Sequence, residues 1–138
     1  MRRRLSAPLL IAGLAAALSC DDPAAPHVPV PGWIEVGLIS PAGSEAALVL
    51  VVTGPAFPLA DEVAGASGDL AVFARRDGTA LRVAVFGPLA GGPIVRFPVA
   101  DTAGAAAYDA ALVEVAAPDH ALREDLAGYA LVVSTTAD

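Results

Sequence analysis

From Gly32 to the C-terminus the chain reads as an all-β body, a single antiparallel β-sandwich with one short helical crossing. A signal segment and a proline-rich stalk precede it. Three observations carry this reading. Short apolar runs recur between clusters of Gly, Pro and Asp, the pattern of several strands at close spacing. One pair of runs is joined through Arg76-Asp77-Gly78-Thr79, and Asp-Gly between β-compatible runs signals a hairpin because Gly accepts the positive φ such turns need. The 138 residues leave room for one domain of ordinary size, and 56% of them are hydrophobic while only 5% are aromatic, so Ala, Val and Leu must build the core.

The elements follow in order. Trp33 to Ser40 puts Ile34, Val36 and Leu38 on one face and Glu35 and Gly37 on the other, a half-buried strand. Ala47 to Thr53 is continuously apolar and is expected to be a strand buried on both faces. Leu70 to Arg75 and Ala80 to Phe86 form the hairpin. Pro93 to Val99 and Ala111 to Ala116 add two strands, and Pro98 near the end of the former suggests an edge or a strand terminus. Asp119 is placed to cap a helix over His120 to Leu126 that Gly128 would end. Tyr129 to Ser134 returns to a strand, and the tract Ala103-Gly104-Ala105-Ala106-Ala107 reads as a flexible loop. Domain limits are therefore expected at 1–19 for the signal, 20–31 for the linker and 32–138 for the sandwich.

Arg2, Arg3 and Arg4 followed by the apolar run from Leu9 to Leu18 have the build of a secretory signal, and the run is too short to span a bilayer as a helix. The run ends at Ala17-Leu18-Ser19-Cys20, which resembles the lipobox of bacterial lipoproteins, with Ala17 where the commonest pattern has Leu. The resemblance implies cleavage before Cys20, acylation of its sulfur and of the new amino terminus, and anchorage to a membrane in the bacterial cell envelope. An ordinary signal cut after Ala17, leaving Cys20 as a free thiol, is the alternative. Between Asp21 and Gly32, Pro23, Pro26, Pro29 and Pro31 favour an extended, semi-rigid stalk in which His27 is a linker residue.

Loss of Arg2, Arg3 and Arg4 with the signal would leave five basic residues against 15 acidic ones and move the formal charge from −7 to −10. The remaining arginines are Arg75, Arg76, Arg82, Arg96 and Arg123. Nucleic acid is disfavoured as a partner, because its binding rests on neutralising phosphates. The chain has no Lys, Asn or Gln, which removes phosphate-loop chemistry and side-chain amides for sugar hydroxyls. One Cys cannot build an internal disulfide or a thiolate zinc site.

Candidate chemistry is sparse. Asp119 and His120 with Ser134 or Ser67 contain the residue types of a triad, yet any chain offers such a combination, and a helix cap with an exposed first-turn residue is the better reading. Asp61-Glu62 with Asp69, and Glu124-Asp125, lack the alternating spacing of a calcium loop and read as solvated charge. Trp33 and Tyr108 read as strand-end core or rim residues, and Tyr129 after Gly128 as a corner tyrosine tying a loop to a strand. No catalytic residue, metal site or cofactor is expected.

The Asp-Gly hairpin, the joint at Gly91-Gly92 and the run Ile94-Val95-Arg96-Phe97-Pro98-Val99 resemble the cohesin-like and immunoglobulin-like sandwiches of bacterial envelope proteins. A small β-barrel has a similar pattern. The functional expectation is a non-catalytic lipoprotein, held on a membrane through lipid at Cys20, that acts as a structural or interaction module for an envelope protein partner. A carrier or sensor binding a small apolar ligand between the sheets is the alternative.

Overall fold

The computed structural model describes residues 25–136. The signal, Cys20 and the first part of the stalk lie outside them. Eight strands run β1 Gly32–Ile39, β2 Glu45–Thr53, β3 Ala64–Gly65, β4 Ala71–Asp77, β5 Ala80–Leu89, β6 Gly92–Val99, β7 Asp109–Ala116 and β8 Ala130–Thr136. They form two four-stranded sheets, ordered β3-β6-β1-β8 and β4-β5-β2-β7, with antiparallel neighbours throughout. The expected all-β sandwich is the observed architecture. Six of the seven connections carry the chain from one sheet to the other, and only the β4–β5 hairpin stays within a sheet. The connections differ from the constant-type immunoglobulin order, which keeps three consecutive strand pairs in one sheet.

Period-two alternation aims one set of side chains into the space between the sheets. Ile34, Val36 and Leu38 of β1 face Leu48, Leu50 and Val52 of β2, with Leu81, Val83 and Val85 of β5 and Ile94, Val95 and Phe97 of β6 completing the core. All of these are at most 2% exposed. Each such side chain contributes about 1.5–3 kcal/mol by leaving water, so a core with few aromatics is sustained by many aliphatics. At the end of the sandwich where β1 begins, Phe57, Phe97 and Tyr108 close the core with ring centroids 5.7 to 6.1 Å apart. Gly54 makes room for them: a Cβ there would lie 2.2 Å from the Tyr108 ring.

The hairpin closes with Asp77 opposite Ala80, so Gly78 and Thr79 form its two-residue loop. Gly78 holds φ +60 at the first of these positions, the requirement of a type II′ turn.

Three expectations are corrected. β2 is buried on one face only: Val49 and Val51 are half-buried on the outer side, where no further layer covers them. The expected helix over His120–Leu126 is absent. Asp119 accepts from the Ala121 amide at 3.1 Å, but His120 has φ +67 and the backbone then turns back onto β7, with Arg123 N donating to Val115 O at 2.8 Å and Ala117 N to Ala121 O at 2.9 Å. The helical pieces are instead 3-10 segments at Ala60–Glu62 and Thr102–Ala107. The second occupies the tract expected to be a flexible loop. Its order has a cause, since Asp101 caps it by accepting from the Ala103 amide at 3.1 Å, and Thr102 N donates to Val30 O at 2.8 Å.

Candidate functional site

The registers of β4, β5, β2 and β7 define a grid of outward side chains on one sheet. Its first row holds Ala71, Phe86, Ala47 and Ala116; its second, Phe73, Ala84, Val49 and Glu114. The third holds Arg75, Arg82, Val51 and Ala111, and the fourth Asp77, Ala80, Thr53 and Asp109. The first two rows are apolar apart from Glu114. Phe73 and Phe86 are 66% and 47% exposed and meet edge to face at 5.9 Å. Their geometry is that of a favourable aromatic pair, yet half of its surface stays in water.

Charge on this face is divided by position. Arg75 and Arg82 stand directly opposite each other on β4 and β5, an arrangement that costs stability because like charges face across the ladder. Arg75 is offset only by exposed Asp77 at 3.8 Å, and among the described residues Arg82 has no carboxylate within ion-pair distance. Glu114 and Asp109 lie on the opposite edge strand, β7. The face is thus cationic on one side, anionic on the other and apolar between.

At the far end of the sandwich from β1's start, an open apolar groove of about 740 Å³ runs between Phe86, Pro88 and Leu89 on one side and Ala116, Pro118 and His120 on the other. A smaller continuation of about 250 Å³ leads past Ala47 and Leu122 onto the sheet face. Glu45 forms part of the groove wall, but its carboxylate is turned into the protein and its side chain has no exposure. It accepts from Tyr129 Oη, from Arg123 Nε at 3.2 Å and from Ser40 Oγ at 3.3 Å, and it lies 3.1 Å from Arg123 Nη2. The carboxylate holds the Arg123 guanidinium above its ordinary pKa, and burial, reinforced by the bond to Glu45, raises that of the Tyr129 phenol. Every buried polar side-chain atom here is satisfied. The cluster therefore clamps the irregular segment between β7 and β8 onto the first residue of β2. It is the polar feature that sequence reasoning missed, and a lone Glu heading an apolar run was its only signal.

The expected candidates fall in separate places. His27 Nε2 lies 2.6 Å from Asp101 Oδ2, and Asp101 Oδ1 accepts from the Val30 amide at 3.2 Å. These contacts hold the last part of the stalk against the body, and they lower the Asp101 pKa, the His27 bond first and the Val30 amide next. Tyr129 ties a loop to a strand as expected of a corner tyrosine, though through a carboxylate. Tyr108 does the same to a backbone group, donating to Ala56 O at 2.6 Å, and burial raises its pKa. Trp33 lies under the Arg96 guanidinium, 5.1 Å from ring centroid to Cζ, on the outer side of the other sheet.

No hydrogen bond among the described residues joins His120 to Ser67 or Ser134, and Ser134 lies on the other sheet from β7, whose end His120 follows. Asp61 and Glu62 sit in the first 3-10 segment, where Glu62 accepts from the Leu59 amide at 2.8 Å. Asp125 accepts from the Ala127 amide at 2.8 Å, an Asx turn, beside exposed Glu124. Among the described residues no group of three or more His, Asp or Glu is placed to hold a metal ion. Cys20 lies outside them.

No protein-family model, no curated protein and no solved structure matches the chain.

Proposed function

We propose that the chain is a non-catalytic lipoprotein of the bacterial cell envelope, anchored through Cys20, whose sandwich is a protein-interaction module using the outer face of the β4-β5-β2-β7 sheet. One observation carries the proposal: β2 is apolar on both faces and the fold covers only one, leaving Phe73, Phe86, Val49 and Val51 without a layer above them. Contiguous exposed apolar surface of this kind marks a contact site, because a free domain otherwise buries it or breaks it with charge. The interior supports the same reading over ligand carriage between the sheets, since Phe97, Leu48, Leu50 and Ile94 fill that space.

The docked stalk sets the presentation. With His27 and Val30 bonded to the body, six residues separate Cys20 from the first contact, which limits its reach to no more than about 25 Å. The end of the sandwich carrying β1's start and the β4–β5 turn then lies nearest the lipid. The groove beside Glu45 points away from it.

Two measurements test the reading. Mass spectrometry of the membrane-extracted chain is expected to find acylated Cys20 at the amino terminus. Photocrosslinking in intact cells is expected to link protein to a photoreactive residue at Phe73 and not at Ser134 on the other sheet. Equal or absent crosslinking at the two positions overturns the assignment of the face.

A further inference from the structure

We infer that the occupant of this face is the same face of a second copy of the chain, related by a two-fold axis running parallel to the strands. The inference rests on the reading of the face as a contact surface and names its partner.

Two independent features select this arrangement. The first is charge. A face-to-face two-fold along the strands lays β4 of one copy over β7 of the other and β5 over β2. Arg75 then stands over Ala111 of the partner, between Glu114 and Asp109, within reach of its long side chain, and Phe86 stands over Ala47. The symmetry repeats each contact, as an isologous interface requires. Arg75, paired within its own copy only with exposed Asp77, gains the partner copy's two carboxylates, and Arg82, over the partner's Val51, stands one strand away from them. Asp77 and Asp109 meet only at the rim, where solvent screens them and Arg75 already accompanies Asp77 at 3.8 Å.

The second feature is the tether. An axis along the strands keeps both stalk ends, each fixed by its His27–Asp101 contact, at the same end of the pair. Two copies anchored in one membrane need this. A two-fold across the strands would send the stalks to opposite ends.

The size of the face sets the strength. Four strands about 4.8 Å apart and four rows about 6.7 Å apart make roughly 500 Å² per copy, below the ~800 Å² per partner of a standard stable interface. Association is therefore weak in dilute solution and depends on both copies being confined to one surface.

The test uses the full chain in the membranes of cells that express it. Ala84→Cys places a thiol beside the proposed axis, and a bis-maleimide reagent spanning about 10 Å, the usual separation of facing sheets, is expected to give a species of doubled mass. Ser134→Cys, on the far sheet, is expected to give none. In the Ala84→Cys background, Arg75→Glu or Glu114→Arg alone should lower the yield at least about tenfold, and the two together should restore it, because the swap re-forms the opposite-charge pair. No crosslink above the Ser134→Cys level overturns the dimer, as does a yield indifferent to the charge changes. In that case a crosslink at Phe73 to a different protein would leave the contact-face reading standing. The unmodified chain reports separately on the anchor: reaction of the reagent at Cys20 shows a free thiol and refutes acylation, while the dimer is still read from the increment due to Ala84→Cys.

Discussion

The hydroxyl of Tyr129 donates to the carboxylate of Glu45, 84 positions away in sequence. Arg123 approaches the same carboxylate, so two residues of one irregular segment converge on one buried acid. Glu45→Gln keeps the shape and removes the charge, and is expected to lower the unfolding free energy by about 1–3 kcal/mol, the cost of leaving buried donors poorly matched. Adding Arg123→Ala to Glu45→Gln should cost much less than the sum of the single changes, because the groups act as one unit. Chemical denaturation of the four proteins in that cycle measures this, and additive losses would contradict the clamp.

Tyr108 packs its ring on Phe57 and Phe97 while its hydroxyl reaches Ala56 O. Tyr108→Phe should lose only that hydrogen bond, about 0.5–1.5 kcal/mol. Gly54→Ala forces a methyl group against the ring and should cost about 1–3 kcal/mol, as overpacking does. Thermal melts of the two variants should rank them in that order.

The stalk contact depends on pH in a fixed direction. Asp101 has a pKa lowered from 3.8 in the folded chain, by the His27 bond foremost. Its contribution is thus complete above 3.8 and is lost as pH falls further, through the lowered value. Amide exchange of Thr102, whose N–H is bonded to Val30 O, should accelerate over that acid range. Asp101→Ala should bring the faster exchange to neutral pH, and unchanged protection in that variant would show that the stalk is held by other means.

Phe73 is exposed, so Phe73→Ser should change stability by less than about 1 kcal/mol. The same substitution should abolish crosslinking from neighbouring positions on the outer face. A large loss of stability would instead give Phe73 a packing role.

Alternation makes part of this fold readable from sequence. Ile34, Val36 and Leu38 declare a half-buried strand because a period of two aims them to one side, and Asp77-Gly78 declares the turn because only a residue tolerant of positive φ fits there. The segment after β7 is opaque for an equally specific reason. Asp119 and Gly128 punctuate turns as well as helices, and what decides between them is Glu45, which draws in Arg123 from 78 positions away. The apolar run of β2 is visible in sequence as two-sided. That one side faces no layer is a property of the strand order, as is the meeting of Arg75 with Arg82.

The strand order also dictates when the molecule can form. β1, central in its sheet, pairs only with β6 and β8, so the first strand to emerge waits for the last. β2 likewise waits for β5 and β7. Only the β4–β5 hairpin can close locally, and every other pairing must first overcome the entropy of a long loop. Refolding in stopped-flow measurements should accordingly take milliseconds to seconds, as in other all-β domains of high contact order. The two layers therefore close in sequence order: the β4-β5-β2-β7 sheet lacks an edge until β7 is reached at Asp109–Ala116, and the sheet that must pack on it stays incomplete until β8 at Ala130–Thr136.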